Sequence, residues 1–110
     1  GRSAAFYAPS YGGADVRPLT IASGPFLRAP PEGFAEAPLV AGRGALYVAR
    51  ADQLGALDAL EAALRRLEPD VERLDGAGAR ALCGVLREDY VAAALFEPEC
   101  LDLDVNAVHQ

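Results

Sequence analysis

An α+β fold, with a small antiparallel sheet of about three to four strands packed against helices, is what this 110-residue sequence predicts. Three observations lead there. Leu54, Leu57, Leu60, Leu64 and Leu67 recur at helical spacing and draw one apolar stripe along 52–67. The stretches 44–50 and 90–97 have strand length and strand composition. The chain before Gly42 is punctuated by Gly and Pro, and the chain after Pro69 is built of shorter, less regular pieces.

Length and composition bound the rest. The chain is one small domain's worth, 1–110, with a single modest core. Apolar residues make up 52%, but many are Ala, so the core must rest on Leu, Val, Phe and Tyr. All ten basic residues are Arg, and the net charge is −6. That balance argues against nucleic acid as a partner, because phosphate binding needs a basic patch. No apolar run has the length of a membrane span. No basic segment leads into an apolar one at the start, so a cytoplasmic chain is expected. Cys83 and Cys100 are too far apart for a CxxC motif and read as two half-buried thiols, with a disulfide as the other option. His109 is the only histidine, which excludes a His-rich metal site and any internal Ser/His or Cys/His couple. The chain holds no Met, and 104–110 starts like a helix without a C-cap. An internal segment of a longer protein is the expectation.

In chain order, Ser3 is placed to cap a short helical turn through Ala4–Tyr7, ended by Pro9. Residues 14–29 read as a helix capped by Asp15, with Gly24-Pro25 expected to kink or split it. Residues 38–42 and 44–50 read as an antiparallel hairpin turned at Gly42-Arg43-Gly44. In its second strand Leu46 and Val48 suit a core face. Ala45, Tyr47 and Ala49 suit a cavity wall or solvent. The helix 52–67 starts at Asp52, carries a Glu61→Arg65 pair and stops at Pro69. Residues 71–74 read as a short strand or an extended link, and Asp75 caps a weak helix to about Leu82. Residues 90–97 are a strand apolar on both faces, hence covered on both. Residues 98–104 read as a solvated acidic loop. The most informative stretch is Gly42–Pro69, whose strand is expected to line a pocket that its helix braces.

Motifs for chemistry are scarce. No GxGxxG follows a strand, and Glu97, Glu99, Asp102 and Asp104 do not have the spacing of a calcium loop. No nucleophile–base pair stands out.

One ordered series of matches goes further. It begins with Gly1-Arg-Ser-Ala-Ala5, Tyr7, Tyr11-Gly12 and Val16-Arg17-x-Leu19-Thr20-x-Ala22-Ser23-x-x-Phe26. It continues through Pro30-Pro-x-Gly33-Phe34 and Pro38-Leu39. It resumes at Leu74-Asp75, Val85-Leu86-Arg87 and Asp102-x-Asp104-x-x-Ala107-x-His109-Gln110. The series resembles the FAD-dependent D-amino-acid dehydrogenase/oxidase family, in the branch with D-arginine dehydrogenase and glycine oxidase. The resemblance implies that 1–110 is the substrate domain inserted into a discontinuous FAD domain. Residues 1–6 would be the tail of a loop passing the flavin, and 104–110 the start of a helix returning to the FAD domain. Arg2, Ser3, Ala4, Ala5 and Phe6 are then cofactor-side residues. Tyr11, Arg43, Ala45 and Tyr47 are substrate-side residues. No catalytic residue and no metal ligand is assigned.

Two departures matter. Ala45 stands where arginine-preferring relatives carry a carboxylate, so a neutral or apolar substrate is implied. Phe6 stands where relatives carry a His, which removes a hydrogen bond at that position. The resemblance implies hydride transfer from an amino acid to FAD, an imine product and its hydrolysis to the oxo acid, with no activity in this segment alone. The implied partners are a small amino acid or amine, and the FAD domain. A homodimer of the segment is the further possibility. The alternative reading is a non-catalytic module that docks a protein through its apolar surface.

Overall fold

A computed structural model describes residues 4–109. The fold is α+β, with two three-stranded antiparallel sheets and four helices among the described residues. The chain divides into two compact units. One consists of the described residues of Gly1–Arg43 and Glu99–Gln110; the other is Gly44–Pro98. Gly1, Arg2, Ser3 and Gln110, for which the sequence carries expectations, lie outside the described residues.

In the discontinuous unit, strand β1 (Phe6–Tyr7) and strand β2 (Val40–Gly42) both pair antiparallel with β6 (Leu101–Leu103), which lies between them. Ala4–Tyr7 is therefore not a helical turn: Tyr7 sits opposite Leu101, and Leu103 N donates to Ala5 O at 2.9 Å. The stretch read as an acidic loop supplies the central strand of this sheet. Each acid around it has its own structural task. Glu99 pairs with Arg28, Asp102 pairs with Arg43 at 2.7 Å, and Asp104 accepts from Ala107 N at 3.0 Å to start helix α4 (Val105–His109).

Helix α1 (Val16–Arg28) is one continuous element with Pro25 inside it. The helix does not split at Gly24-Pro25. The residue before a proline is normally driven from helical geometry by its Cβ, and Gly24 has none. Gly24 is also where α1 meets Tyr7: a Cβ there would stand 2.6 Å from the Tyr7 hydroxyl and 2.7 Å from the Arg28 guanidinium. Asp15 makes no side-chain capping bond; Gly13 O instead accepts from Val16 N and Arg17 N.

In the continuous unit, β3 (Ala45–Ala49) and β4 (Glu72–Asp75) both pair antiparallel with β5 (Ala93–Glu97). The expected hairpin is not formed. β2 and β3 belong to different sheets, because their partners are β6, about sixty residues downstream, and β5, about fifty. Helix α2 (Leu54–Arg65) follows a 3-10 turn, Ala51–Gln53. The cap expected at Asp52 is made one turn differently: Gln53 Oε1 accepts from Arg50 N at 3.1 Å, while Asp52 binds the Arg50 side chain. Helix α3 (Gly76–Leu82) starts as expected, with Asp75 Oδ1 accepting from Gly78 N at 2.7 Å. Asp75→Ala should lower stability by about 1 kcal/mol, the usual worth of such a cap, in a urea titration followed by circular dichroism.

β5 is covered on both faces, as its composition implies. Ala93 and Leu95 join Ala49, Leu57, Leu64 and Val71 against α2. Ala94 joins Ala79 and Val91 against α3. β3 follows the same alternation: Leu46 faces a core and Tyr47 lines a cavity as expected, whereas Val48 is not a core residue and Ala49 is. Tyr47 and Ala49 face the α2 core, Leu46 packs in the α3 core, and Val48 is partly exposed. Cys83 and Cys100 are not joined in a disulfide.

Candidate functional site

Two cavities involve the residues singled out from the sequence. The first belongs to the discontinuous unit. Pairing of β1 with β6 turns Tyr7 inward, buried beside α1, and so turns Phe6 outward, 45% exposed. The chain then folds back through a turn closed by Tyr11 N donating to Ala8 O at 3.0 Å. Arg17 Nε donates to Ser10 O at 3.1 Å and ties that turn to α1. The result is a cavity of about 350 Å³ lined by Ala4, Phe6, Ala8, Tyr11 and Thr20. Its walls are two aromatic rings and small side chains, with no charged group lining it. Thr20 Oγ donates back to Val16 O, so the cavity's free hydroxyl is that of Tyr11, 79% exposed. Ala4 and Phe6 of the cofactor-side set thus share one space with Tyr11 of the substrate-side set. Ala5 does not line it; its carbonyl is in the sheet.

Arg43 stands beside this space. Its guanidinium is 4.6 Å from the Phe6 ring centroid and 2.7 Å from Asp102 Oδ1. Both charges are about half exposed, so the pair contributes little to stability and can exchange partners readily. A guanidinium keeps further donors after one carboxylate is bound.

The second cavity belongs to the continuous unit. It is an open groove of about 450 Å³ between β3 and α2, lined by Leu46, Tyr47, Val48, Ala49, Gln53, Ala56, Leu57 and Leu60. Tyr47 donates its hydroxyl to Glu97 Oε2 at 2.9 Å, and Glu97 is fully buried. Ala45 lies directly across the sheet from Glu97 and does not line the cavity. Glu97 escaped the sequence reading, which ended a strand on it and grouped it with the acids Glu99, Asp102 and Asp104. The alternation of β5 was the available signal: Ala93, Leu95 and Glu97 share the face that carries Tyr47 and α2.

A further charge pair lies at the end of β3. Arg50 binds Asp52 at 3.0 Å and lies 5.7 Å from the Tyr90 ring. The hydrogen bonds from Arg50 hold the Asp52 carboxyl below the usual carboxylate range. A carboxyl lowered in the folded state adds stability above its unfolded pKa, about 4, and loses it as pH falls through the folded value. Wild-type chain should therefore lose more stability than Asp52→Asn between about pH 5 and pH 2. Both groups are exposed, so the difference should be small and should shrink with added salt, read as denaturation midpoints across pH.

Among the described residues, no group of three or more His, Cys, Asp or Glu is placed to hold a metal ion. None of the described helices is long and apolar enough to cross a membrane. The fold and its cavities define the chain as a small α+β protein with two apolar pockets, each edged by a tyrosine. No protein-family model matches it.

Proposed function

We propose that the chain is the substrate-binding portion of an FAD-dependent oxidoreductase that oxidises an amino acid, a D-amino acid or glycine-like amine, to the imine and oxo acid. The ordered resemblance motivates the reading. The observation that supports it is the shared cavity of Ala4, Phe6 and Tyr11, which draws on the cofactor-side and substrate-side sets together. The residues fit such a group. Aromatic faces with small neighbours are what a planar ring system packs against, and the Ala side chains leave room for close approach. Ala4 and Phe6 would hold the flavin's edge; Arg2, Ser3 and Ala5 belong to the same proposed set. When bound, FAD supplies the acceptor for the substrate's hydride. The chain's own residues orient and exclude: Phe6 keeps water from the ring face, and the Tyr11 phenol and the Arg43 guanidinium offer donors to a polar substrate. Tyr47 is held by Glu97 and shapes the wall of β3. A cytoplasmic location goes with this reading.

Ala45 is the proposed determinant of side-chain preference. Glu97, across from it, does not replace the missing carboxylate, since it is buried and engaged by Tyr47. Ala45→Glu in the full-length enzyme should shift relative kcat/KM toward basic amino acids. An unchanged ratio between cationic and neutral substrates removes Ala45 from the site. The larger test is the flavin itself. Full-length protein should purify yellow, or become so with FAD, and be bleached anaerobically by a D-amino or N-substituted amino acid. A protein that carries no flavin and is not reconstituted by FAD overturns the proposal. The reading as a docking module draws on one observation, the exposure of Leu82 and Val85 at the end of α3. It requires tight partner binding by the 110-residue chain on its own.

A further inference from the structure

The two edges of the β3–β5–β4 sheet are built differently. β4 reads Glu-Arg-Leu-Asp, charged at three of four positions, and its Arg73 is bound by Asp58 and Glu61 of α2. Charges on an edge strand are a usual guard against pairing with another chain. β3 reads Ala-Leu-Tyr-Val-Ala and has no charge and no proline. It has no bulge either, since five consecutive residues pair in unbroken register with β5. Its other side bears no strand among the described residues. The 450 Å³ cavity opens there, and four consecutive β3 residues line it. Successive strand side chains point to opposite faces, so four in a row line a space only where the strand presents its edge. Ala56, Leu57 and Leu60 of α2 form the apolar floor.

We propose that β3 is a self-association edge: two copies of the chain pair antiparallel through it and join their sheets into one of six strands. The occupant is a second copy because the strand is its own complement. Centred on Tyr47, the pairing sets Ala45 opposite Ala49, Leu46 opposite Val48 and Tyr47 opposite Tyr47. Just outside, Arg50 falls opposite Gly44 and is neutralised by its own Asp52, so no like charges meet. Centring on Val48 instead sets Leu46 against Arg50; centring on Leu46 sets Tyr47 against Ala45 and Val48 against Gly44. Only the Tyr47 register matches size with size. A closed two-fold interface uses one patch twice, which is what such a strand offers. The overall charge of −6 opposes association elsewhere, and this edge is free of it. The inference stands without the flavoenzyme reading.

Sedimentation equilibrium of the 110-residue chain over a wide concentration range tests it. The expected mass rises from 11.5 kDa toward twice that value. Val48→Lys, at a position already 37% exposed, should weaken the dimer by roughly tenfold or more while leaving the circular dichroism spectrum unchanged. In the wild type, deuterium exchange of the β3 amides should slow as concentration rises. A monomer at all concentrations overturns the proposal, as does a dimer that Val48→Lys leaves equally tight. A chain that stays monomeric but gains β3 protection from an unrelated apolar peptide also overturns it and gives the edge to a foreign strand.

Discussion

Leu95→Ala is expected to destabilise the continuous unit by about 2–5 kcal/mol, the range for truncating a fully buried leucine. Leu95 sits in the central strand, with no solvent exposure, and packs with Leu57, Leu64 and Val71 under α2. The truncation loses apolar burial and leaves a void that β5 cannot close, because its backbone is bonded to strands on both sides. A small domain has a total stability of only about 5–15 kcal/mol, so the loss is a large share. Native-state hydrogen exchange of the β5 amides reads it locally. Val85→Ala is the control: Val85 is 90% exposed, and its truncation should stay within about 0.5 kcal/mol. A Leu95→Ala effect as small as that of Val85→Ala would show that the core is not where the packing places it.

Gly76→Ala should cost about 1–3 kcal/mol, against the ordinary rule that alanine improves a helix. Gly76 is the first residue of α3, where the helix passes under the chain at Val91. An added Cβ would stand 2.5 Å from the Val91 carbonyl oxygen. That neighbour is backbone and cannot rotate away, and it leads directly into β5. Gly55→Ala, in the first turn of α2 with nothing near its Cβ position, should stabilise by up to about 1 kcal/mol. Opposite signs in paired urea titrations are the expected result. Equal shifts of the same sign would deny the close approach of α3 to Val91.

What was legible from the sequence was local. The leucine stripe of α2, the Asp75 cap and the doubly covered β5 each depend on residues within a few positions of one another. What was hidden depends on distant pairing. Gly42-Arg43-Gly44 resembles a hairpin turn, yet β2 and β3 pair with strands about sixty and fifty residues away, and nothing at the turn records that. Leu101 and Leu103 alternate like a strand, but Glu99, Asp102 and Asp104 around them gave the stretch the look of a solvated loop. Pro25 was read as a break because its rule considers the helix alone, while Gly24 against Tyr7 decides its surroundings. The shared cavity of Ala4, Phe6 and Tyr11 could not be seen from spacing, since a sheet pairing and a turn bring those residues together. Glu97 shows the same limit: one acid among several in sequence, it becomes a buried partner of Tyr47 only once the β3–β5 register is known.

The place of β6 has a consequence for how the chain acquires its structure. β1 and β2 do not pair with each other, and the strand that joins them lies at 101–103. The continuous unit, by contrast, has all of its strands by residue 97. During synthesis the continuous unit can therefore mature first, while β1 and β2 wait unpaired for β6 to emerge. Closing so long a loop is slow relative to local pairing, so the N-terminal sheet should be the late event in refolding. Until then β1 and β2 each keep open edges, and that interval is when the young chain is most exposed to mispairing.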